Sequence, residues 1–175
     1  MSGIKKMVLT GLLIALGLIL PMALHSIPHA AIVLLPMHIP VLLCGIVCGF
    51  PFGLACGILT PLLSHLATSM PPAAILPSMV CELAVYGTVS SLLMGLVPVK
   101  NRYVKVYISL IGAMLAGRLV FGILNALIFM AGNYSTQIWI THAFVTALPG
   151  IVIQLVLIPA LIFAFERARL IQLKD

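Results

Sequence analysis

Met7-Val-Leu-Thr-Gly-Leu-Leu-Ile-Ala-Leu-Gly-Leu-Ile-Leu-Pro-Met-Ala-Leu24 is a run without one charged side chain, and Lys5 and Lys6 precede it. About 20 predominantly apolar residues let an α-helix cross the hydrocarbon core of a bilayer, and this run is close to that length. A basic start followed by an apolar stretch also resembles a signal peptide. No small-residue cleavage site follows it, however, and the run ends at Pro21 and His25. It reads as a retained first span.

The rest of the chain repeats the pattern. Of 175 residues, 63% are hydrophobic and 7% charged, and mean hydropathy is +1.29. A soluble domain carries about 25% charged residues, so there is too little polar surface here to cover a globule in water. The expected fold is an all-α membrane protein of about six transmembrane helices in a single domain, residues 1–175. Spans are expected near 7–24, 38–50, 53–69, 74–97, 104–131 and 141–165. The second and third look short and are separated by the turn-forming cluster Gly49-Phe50-Pro51-Phe52-Gly53, compatible with one bent hairpin. No room is left for a soluble nucleotide-binding or catalytic domain, and no G-x-x-x-x-G-K-[ST] occurs, so any ATP-driven work falls to a partner.

Charge placement sets the expected orientation. Of the nine Lys and Arg, all but Arg118 fall in the N-terminus (Lys5, Lys6), the segment after span four (Lys100, Arg102, Lys105) and the C-terminus (Arg167, Arg169, Lys174). The opposite loops, 25–37, 70–73 and 132–140, contain neither residue. By the positive-inside rule both termini are cytoplasmic and the protein is a multi-pass component of the cell membrane. These cations serve as topology anchors near anionic lipid rather than as a nucleic-acid surface. The cysteines, Cys44, Cys48, Cys56 and Cys81, lie inside apolar runs and form no C-x-x-C pair. They read as small lipid- or core-facing residues, neither disulfides nor zinc ligands.

Two ionisable residues lie inside the expected spans: Glu82 in span four and Arg118 in span five. Each alone costs at least about 2.5 kcal/mol at the bilayer centre, so both should face the interior. With the expected boundaries, Glu82 lies roughly 12 Å and Arg118 roughly 20 Å below the outer helix ends. A contact between them, direct or through water, below an outward-facing cavity is the simplest arrangement. A pair that only locks two helices together is the alternative. Asn125 lies two turns from Arg118 on the same face, Tyr86 one turn from Glu82, and Gln154 inside span six. All three are either cavity-lining or interhelical hydrogen-bonding groups.

The outer loops are unusually apolar. Residues 25–40 carry His25, His29 and His38 with Pro28, Pro36 and Pro40, and read as a lid over a cavity. Residues 69–77 form a second Pro-rich outer turn, and residues 132–140 supply Tyr134 and Trp139. These aromatics are either interfacial anchors or a stacking surface for a planar ligand. In span one, Gly11 and Ala15 place two small residues one turn apart, which suits close helix approach, within the chain or against a partner.

Taken in order, Leu35-Pro-Met-His-Ile-Pro-Val-Leu-Leu, Gly57-Ile-Leu-Thr-Pro-Leu-Leu-Ser64, Met70-Pro-Pro, Glu82-Leu-Ala-Val-Tyr-Gly87, Gly117-Arg118 and Ala147-Leu-Pro-Gly150 resemble the substrate-binding S components of energy-coupling-factor vitamin transporters. The resemblance covers nearly the whole chain. It implies high-affinity binding of a vitamin or precursor near the outer face, with the loop between spans one and two as lid, here 25–37. It also implies a membrane coupling protein (the T component) and two ATPase subunits that hydrolyse ATP, with no cofactor in this chain. Release by toppling in the membrane is implied as well. The family's Ala-xxx-Ala docking motif falls on Gly11 and Ala15, with Gly standing for the first Ala. The expected substrate-binding set is Glu82, Arg118, Asn125, Tyr86, Gln154, His38, Tyr134 and Trp139. Arg118 suits a carboxylate or phosphate-like group. A neutral ring hydrogen-bonded to both charges fits equally, so the ligand class spans pyridoxine- or pyrimidine-like and pantothenate-like molecules.

Three rival readings remain. A nickel or cobalt importer subunit would use Met37-His38-Ile39 with His25 and His29, but neither carboxylate nor thiol completes the set. An enzyme is not expected, because H-E-x-x-H, G-x-S-x-G and an intramembrane Asp pair are all missing. A stand-alone proton-linked carrier would use Glu82, though inverted repeats with broken helices are not evident.

Overall fold

The computed structural model describes residues 1–24, 27, 33–132, 134–169 and 171. Among them there is no strand. The helices are α1 (Gly3–Ala23), α2 (His38–Cys48), α3 (Phe50–Thr68), α4 (Leu76–Leu96), α5 (Arg102–Leu124), the short α6 (Thr136–Ile140) and α7 (Leu148–Arg167). Two π-helical turns, Asn125–Phe129 and Thr141–Thr146, flank the hairpin that carries α6. Five helices (α1, α3, α4, α5 with its π turn, and α7) are long and apolar enough to cross a membrane.

The sixth expected span is α2, and it differs from the rest. Its 11 residues rise only about 16 Å, against a hydrocarbon core of about 30 Å. It is also the most enclosed helix, with Pro40 through Cys48 all buried. By contrast α3 reaches full spanning length, contrary to the expected short arm. The turn narrows to Gly49, whose φ of 96° is a backbone geometry that glycine adopts without strain. Pro51 then falls in the first turn of α3, where its missing N–H breaks no helical bond. At the other end α-helical bonding in α5 gives way after Leu124 to a π turn that carries the helix on to Phe129, close to the expected 131. There the Met130 N–H reaches the Asn125 carbonyl at 2.8 Å, closing a π turn.

Glycines let the inner helices meet backbone to backbone. A Cβ on Gly53 would lie 2.7 Å from Gly45 Cα and overlap the Gly87 carbonyl, and one on Gly57 would lie 2.8 Å from Ala84 Cα. So α2, α3 and α4 pack at a separation that only small residues allow. Lys6 sits over the Phe52 ring at 6.0 Å, beside Gly49. Arg102 pairs with Glu166 at 2.6 Å. These contacts, with the short 97–101 connection, bring the start of α1, the α2–α3 turn, the end of α4, the start of α5 and the end of α7 to one end of the bundle.

α1 is the least covered of the long helices. Only Thr10, Leu13 and Gly17 are buried, while Ile4, Met7, Leu12, Ile19 and Met22 are exposed. Gly11 and Ala15 lie on the exposed face, and a Cβ on Gly11 would meet no described atom within 4 Å. Such a surface of aliphatic side chains suits lipid or another helix, not water.

Candidate functional site

Glu82 lies in the second turn of α4 and Arg118 in the last third of α5, the two helices packed along their length. Arg118 Nη1 is 3.3 Å from Glu82 Oε1, and Tyr86 donates its hydroxyl to the same oxygen at 3.2 Å. His38, at the start of α2, brings Nε2 to 3.8 Å from that oxygen and sets its ring edge-on to Tyr86 at 5.2 Å. All four side chains are buried. Gly117 makes room for the group: a Cβ there would overlap the Tyr86 ring.

With its π turn α5 runs to Phe129, so Arg118 lies about 16 Å from that helix end and Glu82 about 9 Å from the start of α4. Both charges face protein, as the cost of exposing either to hydrocarbon requires.

Much of the buried polar capacity of the bundle has no partner among the described residues. Arg118 Nε and Nη2, both ring nitrogens of His38, Asn125 Oδ1, the Tyr134 hydroxyl, and both amide atoms of Gln154 are buried and make no hydrogen bond there. A buried donor or acceptor left without a partner costs about 1–3 kcal/mol. Such atoms are uncommon in a protein interior, where the large majority of buried polar atoms are paired. Asn125 sits where α5 passes into its π turn, and its Nδ2 donates to the Phe121 carbonyl at 2.9 Å.

Trp139 and Tyr134 play different parts. Trp139 Nε1 donates to the Arg118 carbonyl at 3.0 Å, and its indole occupies the space that a side chain on Gly122 would need. It braces the α5 turn that carries Arg118. Tyr134 is half-buried, and burial raises its phenol above the ordinary value, with the Glu82 charge adding to the rise. The phenol therefore keeps its proton at neutral pH. Both aromatics line a cleft of about 270 Å³ with Leu119, Gly122, Ile123 and Ala126.

Of the expected lid, His25, His29 and most of 25–32 lie outside the described residues. Its far end is placed: the Val33 and Leu34 backbone packs so closely on Gly150 that a Cβ there would lie 2.6 Å from the Val33 carbonyl oxygen. Gln154 follows Gly150 by one helical turn on α7.

A family model described as "ECF transporter, substrate-specific component" matches residues 5–162. The chain belongs to that family. No individual curated protein and no solved structure matches it. As an S component it is a multi-pass membrane protein of substrate-binding type, in which the polar group of α2, α4 and α5 is the chemically distinctive interior feature.

One contact and one residue of this S component escaped the sequence reading. His38 was expected among the substrate-binding residues, but its approach to Glu82 was not. The available signal was depth: it opens α2 from the same end at which α4 begins. Ser64 in α3 has a buried hydroxyl without a partner among the described residues, and nothing in its apolar sequence context marked it.

Proposed function

We propose that this S component is the high-affinity binding subunit for a small water-soluble vitamin or vitamin precursor. It holds its ligand at Glu82, Arg118, His38, Tyr86, Asn125, Gln154 and Tyr134, with Trp139 as brace. α2 is the sixth, shortened crossing, both termini are cytoplasmic, and the site opens to the exterior. Energy comes from a T component and two ATPase subunits. The exposed Gly11–Ala15 face of α1 is the docking surface for the T component.

One observation carries this reading: an ion pair beside a set of buried, unpartnered donors and acceptors, at the end of the bundle opposite the clustered basic residues. Such a region is costly unless a polar guest completes it. The experiment is co-expression with a T component and its ATPases, followed by affinity purification and uptake assays in a host lacking all three. The expected outcome is a stable complex, uptake only with the full set, and loss of the complex on replacing Gly11 and Ala15 by Leu. Robust uptake by this chain alone would instead establish a stand-alone carrier.

A further inference from the structure

The orientation of Arg118 within the polar cluster narrows the ligand. A guanidinium has one edge, Nε with Nη2, that presents two parallel N–H donors, and this is the edge that grips a carboxylate side-on. Glu82 does not occupy it. Its Oε1 engages Nη1 at 3.3 Å, while Nε and Nη2 are the two donors of Arg118 left buried without a partner among the described residues. Glu82 thus neutralises the arginine and, through Tyr86 on the same oxygen, fixes its position without using its recognition edge.

We propose that this edge receives a carboxylate of the ligand, so that the substrate is a small monocarboxylate with a polar, uncharged remainder. Two coplanar acceptors match two parallel donors, whereas a single carbonyl or ring nitrogen leaves one donor unsatisfied in a buried site. A phosphate is disfavoured because it brings up to two negative charges to a guanidinium already shared with Glu82. His38 lies beside the pair, with Nε2 3.8 Å from Glu82 Oε1 and Nδ1 without a hydrogen-bond partner among the described residues. The amide of Gln154, unpartnered at both atoms, and Asn125 Oδ1 demand donors and acceptors on the uncharged remainder, as hydroxyl or amide groups provide.

The inference rests on the binding-subunit reading, and its test separates the two. Purified full-length protein in detergent is titrated with matched pairs: pantothenate and pantothenol, nicotinate and nicotinamide, 4-pyridoxate and pyridoxine. Pyridoxal 5′-phosphate serves as the phosphate probe. Any small molecule that co-purifies is methyl-esterified and weighed to count its carboxyl groups. The expected result is one carboxyl in the retained molecule, or an acid that binds on the order of 100-fold tighter than its neutral twin. Arg118→Lys, which keeps the charge but loses the fork, should erase that preference while melting close to wild type. Glu82→Gln, which keeps the hydrogen-bond acceptor, should retain it. A neutral or phosphorylated ligand, or an acid preference that survives Arg118→Lys, overturns the carboxylate assignment and leaves the binding subunit standing. No retained molecule and no binding by any probe overturns both.

Discussion

Around Gly45, Gly53 and Gly87, three helices touch backbone to backbone, and Ser90 there donates to the Gly87 carbonyl at 3.3 Å. About 7.5 Å further along α4, around Glu82, the same helices and α5 enclose a cluster of charged and amide side chains with many hydrogen-bonding atoms unmatched among the described residues. One region gains its stability from contact, the other sacrifices some to hold polar groups ready. The contrast separates a tightly packed half of the bundle from a polar one. The glycine-lined half leaves no room for a side chain at these three positions.

The largest effects should come from disrupting the polar half. Replacing Arg118 by Met, or Glu82 by Ala, leaves a buried charge alone and should destabilise the protein by about 3–5 kcal/mol. The double replacement should cost clearly less than the sum of the two. Denaturant unfolding in detergent reads both values, and additivity would show that the two charges do not interact.

Next comes the dry half. Gly87→Ala places a methyl group against the Gly53 backbone, and such overpacking costs about 1–3 kcal/mol. Folded Gly87→Ala protein should nonetheless retain its ligand as wild type does, because the change leaves the polar cluster's own contacts in place. Loss of binding without loss of stability would mean that the halves are coupled.

Trp139→Phe removes the hydrogen bond to the Arg118 carbonyl. It should cost about 1 kcal/mol of stability and weaken ligand binding more than it lowers the melting temperature. The smallest change is expected far from both regions. Arg102→Ala breaks a partly exposed ion pair with Glu166 and should shift stability by less than about 1 kcal/mol, with binding unchanged.

The sequence made the helical architecture and the pairing of Glu82 with Arg118 legible for one reason: hydrocarbon tolerates few charges, so the two ionised residues within the spans had to find each other. It did not reveal the π turn in which α5 ends. A shift from i+4 to i+5 bonding over Asn125–Phe129 leaves no trace in an apolar run. The length of α3 was misjudged for a related reason: Phe50-Pro51-Phe52 looks like a turn, yet proline is well suited to a first helical turn. His38 was noticed for its imidazole, but its contact with Glu82 depends on how far α2 descends, which composition does not record. Gly11 and Ala15 were legible as small residues, and only the three-dimensional arrangement shows their face uncovered within the described chain.

The central claim is that the buried cluster around Glu82 and Arg118 holds a small polar molecule. Native mass spectrometry of the chain released from detergent micelles tests it most directly, comparing wild type with Arg118→Lys after growth in rich medium. The account predicts one small-molecule adduct per wild-type chain and a bare Arg118→Lys chain of similar melting temperature. A bare wild-type chain, or the same adduct at equal occupancy on both proteins, would contradict it.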